Sequence, residues 1–192
     1  APDDLYEQLA MIKEILPALG IQVVDKEGFE ADDILATLAT QSRDSSVQVV
    51  VVTGDRDSYQ LVEDPYIRVL YNRRGVSDYV LYDEDGIWDR TGVYPKDYVL
   101  YAALRGDKSD NLPGVPGVGE KTAAKLVNTY QTLDGIYESL EDQKPKLRDN
   151  LEKCENTVRQ NVEVMELIRD VELPITVEDL LLNPIDHGEV TR

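Results

Sequence analysis

The first third of the chain alternates between helical and strand-like patterns of apolar side chains. Leucine and isoleucine recur at helical spacing over residues 4–19 and predict an amphipathic helix that ends at Gly20. Residues 21–25 predict a short strand, and a second helix is predicted from Glu30 to about Gln41. The run at 47–53 is apolar almost throughout, which is typical of a strand buried on both faces. This order of elements predicts an α/β fold.

The rest of the chain is predicted to be mainly helical. After a short helix over 58–62, two strands at 67–71 and 79–82 flank a turn at Arg73-Arg74-Gly75. An irregular tail begins at Pro174. The 11 tyrosines could in principle stack on bases, but a tyrosine on a strand more often serves packing, so we assign none of them a functional role. The further predicted helices cover 83–90, 95–104, 133–140, 144–153 and 157–169.

Composition is that of a globular protein, with 192 residues of which 42% are hydrophobic. This length fits one large domain, or one domain with a small appendage. No apolar run approaches the roughly 18 residues that a membrane span needs, and no signal peptide is recognised. The single cysteine, Cys154, excludes an intramolecular disulfide framework and agrees with a reducing cytosol. We therefore expect a cytoplasmic protein.

Seven acidic residues in three separate segments are candidate metal ligands. The ends of strands in an open α/β sheet meet at one edge, where ligands bind, so these segments are expected to converge. Clustered carboxylates suit Mg²⁺ or Mn²⁺, and two such ions about 3.5–4 Å apart can serve phosphoryl displacement. The one histidine, His187, lies in the tail, away from every motif. The candidates are Glu30, Asp32, Asp33, Asp55, Asp57, Asp107 and Asp110.

A simpler interpretation of these acids is that they cap helices. Acidic residues in a first helical turn favour the helix dipole by about 0.3–1 kcal/mol each. Either Asp55 or Asp57 could cap the helix over 58–62. Capping explains about three of the seven carboxylates, so it leaves most of the cluster unexplained.

A glycine-rich hairpin follows the last two acids and runs into a helix that begins near Glu120. Glycines leave main-chain N–H groups free to hold a phosphate at a helix N-terminus, and Lys121 and Lys125 lie one turn apart on that helix. An ordinary helix connection is the alternative. Acidic ligands beside a phosphate-binding hairpin together indicate metal-dependent chemistry on a nucleic-acid backbone.

Three linked motifs resemble the 5′-nuclease domains of bacterial DNA polymerases I, within the flap endonuclease superfamily. They are G-F-E-A-D-D at 28–33, T-G-D-R-D at 53–57 and L-R-G-D-K-S-D-N-L-P-G-V-P-G-V-G-E-K-T-A at 104–123. The resemblance covers about residues 5–173. It implies a Rossmann-like (PIN-like), mostly parallel sheet flanked by helices, followed by a helix–three-turn–helix (helix-hairpin-helix) subdomain that binds duplex DNA.

The resemblance also implies roles for individual residues. The first three acids serve mainly one metal ion, and the other four mainly a second. The loop contacts the duplex backbone, often with a monovalent cation such as K⁺ bound by its carbonyls. The implied DNA-binding residues are Gly114, Val115, Gly117, Val118, Gly119, Lys121, Thr122 and Lys125.

The resemblance predicts three regions: an α/β nuclease core over 1–104, a DNA-binding subdomain over 105–173 and a tail or linker over 174–192. Members of the superfamily begin with two further strands and a basic arch, and we expect these to be lacking here. The formal net charge of −18 is unusual for a nucleic-acid-binding protein. Bound cations, or a basic part outside this chain, would account for it.

The resemblance implies a structure-specific 5′-3′ exonuclease or flap endonuclease of DNA, associated with the bacterial nucleoid, in a chain that can also carry a polymerase domain. The alternatives are a non-catalytic duplex-DNA-binding module or inactive fragment, and a phosphatase-like hydrolase with a strand-end aspartate nucleophile. Duplex binding alone would select against all seven acids, and a phosphatase leaves the hairpin unexplained.

Overall fold

A computed structural model describes residues 3–75 and 77–182 of the chain. The predictions for residues beyond 182, including the place of His187 in the tail, lie outside the described residues. No helix in the described ranges is both long and apolar enough to cross a membrane. The seven α-helices of these ranges are α1 (Asp3–Ala18), α2 (Ala31–Asp44), α3 (Glu84–Thr91), α4 (Tyr98–Arg105), α5 (Glu120–Tyr130), α6 (Leu133–Glu138) and α7 (Pro145–Met165).

The main sheet has three strands in the order β1–β2–β3: β1 (Val49–Thr53), β2 (Ile67–Arg74) and β3 (Asp78–Tyr82). Strands β1 and β2 are parallel, whereas β2 and β3 form an antiparallel hairpin. The sheet of the described residues is therefore mixed, and the expected parallel pairing holds for β1 and β2. A second small sheet pairs β4 (Gly106–Asp107) with β5 (Leu112–Pro113) in antiparallel fashion.

Two strand predictions differ from the structure. Residues 21–26 form no strand, and Ile21 and Val23 are exposed, because no described strand lies beside them to supply hydrogen bonds. Strand β1 is buried on one face only. Val51 is 3% exposed, but Val50 and Val52 are 53% and 61% exposed, because successive side chains point to opposite faces and the described residues leave the face with Val50 and Val52 uncovered. An uninterrupted apolar run therefore did not mean burial on both faces.

Several helices differ in extent from the predictions. The segment after β1 is a 3₁₀ helix, Asp57–Leu61, and another 3₁₀ turn, Pro95–Asp97, precedes α4. The two helices predicted over 144–169 form the single helix α7, which continues through the polar stretch near Asn156 because that residue points to solvent. Two more 3₁₀ turns, Leu140–Asp142 and Val177–Leu180, lie before α7 and inside the predicted irregular tail.

One hydrophobic core joins the sheet to the helices that follow it. Tyr59 packs edge-to-face against Tyr71, Tyr82 and Tyr98, with ring centroids 5.2–5.4 Å apart. Helix α4 packs against both α5 and α7, and the core includes residues on both sides of the predicted boundary at 104/105. The buried tyrosines thus serve packing, as the sequence indicated. The division of the chain into domains stays a prediction.

Candidate active site

Six of the seven candidate carboxylates line one cleft of about 510 Å³. The first three come from the start of α2, the next two follow the carboxyl end of β1, and the sixth lies in the β4–β5 turn. The three acidic segments therefore converge on one cleft, as predicted, although only Asp55 and Asp57 follow a strand of the main sheet. The six are Glu30, Asp32, Asp33, Asp55, Asp57 and Asp110.

Four of the seven acids have structural tasks, and the first of them, Glu30, shares the capping box of α2 with Asp33. Asp33 accepts a hydrogen bond from the Glu30 amide (3.2 Å), within the capping box of α2, and another from the Ile168 amide (2.9 Å). Asp55 accepts one from the Asp57 amide (2.9 Å). Asp107 accepts one from the Ser109 amide (2.8 Å). Local hydrogen bonds therefore account for these four carboxylates and not for the other three.

The carboxylates of Asp32, Asp57 and Asp110 accept no hydrogen bond and form no ion pair within the described ranges. Burial, together with the negative charges of Asp55 and other acids, raises the pKa of Asp57 to about 7. Burial and then neighbouring carboxylates also raise the pKa of Asp32 and of Asp110. Ionisation of these three side chains is therefore unfavourable, and no described hydrogen bond or ion pair compensates for it.

Asp107 differs from the other six because it lines an adjoining cleft of about 540 Å³, which shares Asp55 with the first. The Ser109 hydroxyl donates to its carboxylate, and Arg105 Nη2 lies 3.4 Å from its Oδ2. Burial would raise the pKa of Asp107, but the Ser109 hydrogen bonds and the Arg105 charge lower it overall. Of the seven candidates, Asp107 is the one whose charge is already compensated.

The donor set suits a hard divalent cation. Carboxylate oxygens dominate the first cleft, and no lysine or arginine is among the described residues that line it. As they stand, however, no three acidic, histidine or cysteine side chains in the described ranges are arranged to hold one ion. Uncompensated like charges are expected to stand apart. The chemistry of the residues fits Mg²⁺ or Mn²⁺.

Sequence reasoning missed the opposite wall of this cleft. The end of α7 and the residues after it supply Glu163 and Glu166, and the Ile168 amide holds Asp33 in place. These residues lie more than 50 positions after Asp110 and carry no motif. Their i, i+3 spacing on a helix is common on solvated faces, so the sequence offered no signal for them.

The hairpin between β5 and α5 exposes main chain and buries side chains. Val115 and Val118 are 2% and 6% exposed, and therefore belong to the core. At these two predicted DNA-binding positions only the backbone could meet a phosphate, because the side chains face the interior. Gly117 (φ +84°) and Gly119 have open space around them, as a close approach of a ligand requires.

The amino-terminal turn of α5 presents its basic side chains to solvent. Gly119 is the N-cap residue, and Lys121 and Lys125 are exposed, whereas Thr122 is half-buried. The Pro116 carbonyl accepts a hydrogen bond from Asn150 of α7 (2.8 Å), which ties the loop to the helical part of the molecule. The hairpin is thus a fixed surface with free backbone donors beside two cations.

Two family models together match residues 1–188 of the chain. One, described as 5′-3′ exonuclease, N-terminal resolvase-like domain, matches residues 1–92. The other, described as 5′-3′ exonuclease, C-terminal SAM fold, matches residues 93–188, which is half of the chain. Between them they include all seven acids and the hairpin.

Similar proteins carry consistent names. DNA polymerase I of Mycobacterium tuberculosis is 45% identical over 191 residues, which cover 100% of this chain and 21% of that protein. A 5′-3′ exonuclease of Streptomyces coelicolor is 42% identical over 190 residues, covering 96% of this chain and 62% of that one. The T5 D15 protein, crystallised with metal ions, shares the fold with a TM-score of 0.74 at 20% identity, covering 86% of this chain and 60% of that one. The chain therefore spans less than two thirds of each.

Proposed function

This chain belongs to the 5′-3′ exonuclease family, and we propose that it acts in a divalent-metal-dependent, structure-specific 5′-3′ exonuclease or flap endonuclease that hydrolyses phosphodiester bonds in DNA. One observation carries the proposal: six carboxylates from three segments line a single cleft that no described lysine or arginine neutralises. Such a cleft is costly to the fold and has a use only when cations occupy it.

The carboxylates would hold two Mg²⁺ or Mn²⁺ ions. Glu30, Asp32 and Asp33 would serve mainly the first, and Asp55, Asp57, Asp107 and Asp110 mainly the second. Bound ions would supply an acidified water as nucleophile and neutralise charge on the leaving 3′ oxygen. The T5 relative was crystallised with metal ions, which supports a metal requirement without fixing its identity.

The side chains around the carboxylates would exclude bulk water and orient the ligands. Leu112, Met165 and Leu167 line the same cleft, so the acids lie against an apolar wall. Hydrogen bonds from main-chain amides fix the carboxylates of Asp33 and Asp55. The three unsatisfied carboxylates would then be free to close onto the ions. A carboxylate site of this kind needs no histidine as general base.

The hairpin would hold the duplex beside the cleft through backbone phosphates. Main-chain N–H groups at Gly117 and Gly119 and the ammonium groups of Lys121 and Lys125 are suited to phosphate and not to base edges. Binding should therefore be independent of DNA sequence. The loop carbonyls would also offer a site for K⁺.

The wider setting is also a proposal. The substrate would be a duplex with a 5′ flap or a 5′ end, processed during primer removal and repair. A polymerase domain would accompany the nuclease in the full-length protein, since the DNA polymerase I relatives are about five times as long as the match. Association with the bacterial nucleoid would follow from that role.

The test uses a labelled 5′-flap duplex and the intact natural protein. Cleavage is expected with Mg²⁺ or Mn²⁺, no cleavage is expected with EDTA, and the same activity should reappear when the metal is restored. Asp57→Asn, purified in parallel, controls for a contaminating nuclease. Undiminished cleavage in EDTA, or by the variant, would contradict the proposed metal-dependent site.

A further inference from the structure

Arg105, the last residue of α4, lies between the two halves of the proposed function. Its Nη2 is 3.4 Å from Asp107 Oδ2, and its Nη1 is 3.8 Å from Oε1 of Glu120. The Nε group donates to the Gly106 carbonyl (3.2 Å), and the guanidinium carbon lies 5.3 Å from the centre of the Tyr101 ring. With only 14% of its side chain exposed, Arg105 is held in this position by its surroundings.

The two carboxylates that share Arg105 have different tasks. Asp107 is the candidate metal ligand that lies outside the main carboxylate cleft. Glu120 is the first residue of α5, directly after the proposed phosphate-binding hairpin. A single guanidinium therefore contacts both a metal ligand and the start of the DNA-binding helix.

The cleft around Arg105 is open to a further anion. It has a volume of about 540 Å³, and its charged lining residues are three basic side chains and three acidic ones: Arg56, Arg105, Lys108, Asp55, Asp107 and Glu120. A phosphate held near the start of α5 would compete with the carboxylates for the guanidinium, whose planar array of donors matches phosphate geometry. Any shift of Arg105 toward such a phosphate would weaken its hold on Asp107.

We propose that Arg105 is a positioning residue that competes with a divalent cation for Asp107 and yields that carboxylate when duplex DNA occupies the hairpin. The inference rests on the proposed function, since it takes Asp107 as a metal ligand and the hairpin as the duplex site. DNA binding and metal binding are then positively coupled. By linkage, each ligand then raises the affinity for the other.

The experiment measures Mn²⁺ affinity of the intact protein by calorimetry, with and without a sealed dumbbell duplex that offers no 5′ end. In the parent, the duplex should tighten Mn²⁺ binding by about tenfold, within the usual range of such couplings. In Arg105→Met, Mn²⁺ should already bind about tenfold more tightly without DNA, because a competing positive charge is gone. The duplex should then add little.

Arg90→Met is the matched control. Arg90 Nη1 lies 3.8 Å from the same Glu120 oxygen and has no contact with Asp107 among the described ion pairs. It should therefore behave as the parent does. Arg105→Lys should restore the weaker Mn²⁺ affinity of the free protein, because an ammonium can still pair with Asp107. The shorter, single-centred group should not bridge to Glu120, so dependence on the duplex should be lost.

Glu120→Gln gives a second reading from a half-exposed position where folding is not at risk. The change removes the Glu120 charge that shares Arg105, so Arg105 should pair with Asp107 more strongly. Mn²⁺ should therefore bind more weakly than in the parent. Equal Mn²⁺ affinity of Arg105→Met and the parent, or an equal gain in Arg90→Met, would overturn the role of Arg105 and leave the nuclease proposal standing. A parent protein that binds no Mn²⁺ would overturn both.

Discussion

The carboxylate cleft and the hairpin lie side by side but are built in opposite ways. The cleft is made of side chains from segments far apart in sequence, and burial together with mutual repulsion raises the pKa of Asp32, Asp57 and Asp110. The hairpin is one continuous segment that presents main chain, while Val115 and Val118 anchor it in the core. The cleft is defined by uncompensated negative charge, whereas the hairpin is defined by a fixed backbone conformation.

This difference determines which changes should damage each region. Removing one carboxylate changes the charge of the cleft and leaves the backbone as it was. The hairpin has few side chains to remove, so its function should respond to changes in backbone access and in nearby cations. Cleavage and duplex binding should therefore be separable by mutation.

The largest effect is expected from Asp110→Asn. Its carboxylate has no structural partner within the described ranges, so the change should leave the fold intact and remove a proposed metal ligand. Bound metal is worth several kcal/mol to such reactions, so cleavage should fall by roughly 10²–10³-fold while duplex affinity stays within about twofold. Cleavage and gel-shift affinity are measured on the same flap substrate.

Asp85→Asn is the matched control, because Asp85 is an exposed acid in the first turn of α3, outside the cleft. It removes the same charge and should leave cleavage unchanged. Equal cleavage by Asp110→Asn and the parent would remove Asp110 from the site. A parallel loss of duplex affinity would show instead that the two regions are not separable.

The next effect concerns Lys121 and Lys125. Replacing both with alanine should weaken duplex binding at low salt and flatten the slope of log K against log salt by about one to two units, at roughly 0.9 per phosphate contact. The loss should be the same for duplexes of unrelated sequence. Lys153→Ala, an exposed position on α7, serves as the control. An unchanged slope would place the phosphate contacts elsewhere.

Gly119 offers a sharper test of the hairpin backbone than Gly117. Gly117 has a φ of +84°, so valine there would strain the loop, and a loss of binding would have two explanations. Gly119 has an ordinary φ of −103° and no atom near its Cβ position, so alanine should fold without strain. We expect Gly119→Ala to weaken duplex binding several-fold, with a loss of about 1 kcal/mol of stability because alanine is a poorer N-cap residue than glycine. Binding as tight as the parent's would make the loop only a connection.

The sequence allowed the convergence of the acidic segments to be predicted, but the strand-end argument applies only to Asp55 and Asp57, because the described residues before α2 form no strand. It could not indicate the wall that carries Glu163 and Glu166, since their position depends on how α7 packs. It also gave no sign that Arg105 pairs with Asp107. The wrong strand at 21–25 has a similar cause, because a strand requires a partner that a local pattern does not reveal.

A smaller effect is expected where the two regions are joined. Asn161 is 3% exposed, and its side-chain amide donates to the Ala103 carbonyl (3.1 Å) and the Pro113 carbonyl (2.9 Å). Pro113 lies between Asp110 and the hairpin. Asn161→Ala should lower the free energy of unfolding by about 1–3 kcal/mol, because the buried Ala103 carbonyl and the partly buried Pro113 carbonyl lose their donor. Gln160→Ala, an exposed neighbour, should change it little.

Asn161→Ala also tests whether the two regions depend on a common support. If Asn161 positions the segment that links them, cleavage and duplex binding should fall together, unlike the result expected for Asp110→Asn. Urea unfolding gives the stability, and the flap assay gives both activities. A loss of cleavage alone would show that the hairpin is held independently of this amide.

The smallest expected effect is a shift in melting temperature with Mn²⁺ that depends on pH. The pKa of Asp57 is about 7 in the fold against 3.8 for an ordinary aspartate, so the native state binds this proton more tightly than the unfolded chain. The contribution is fully present below about pH 4 and is lost as pH rises through about 7. Asp32 and Asp110 act in the same direction.

A cation bound in the cleft should restore the stability that is lost on deprotonation, because its positive charge replaces that of the proton. Millimolar Mn²⁺ should therefore raise the melting temperature by a few degrees at pH 8 and by much less at pH 5, where the proton already occupies Asp57. Differential scanning fluorimetry at both pH values, with EDTA as reference, measures the shift. In Asp57→Asn, the metal-free protein should be more stable at pH 8 than the parent, and the Mn²⁺ shift should shrink there. A Mn²⁺ shift of equal size at both pH values would mean that the ion binds outside this cleft and does not reduce the repulsion among its carboxylates.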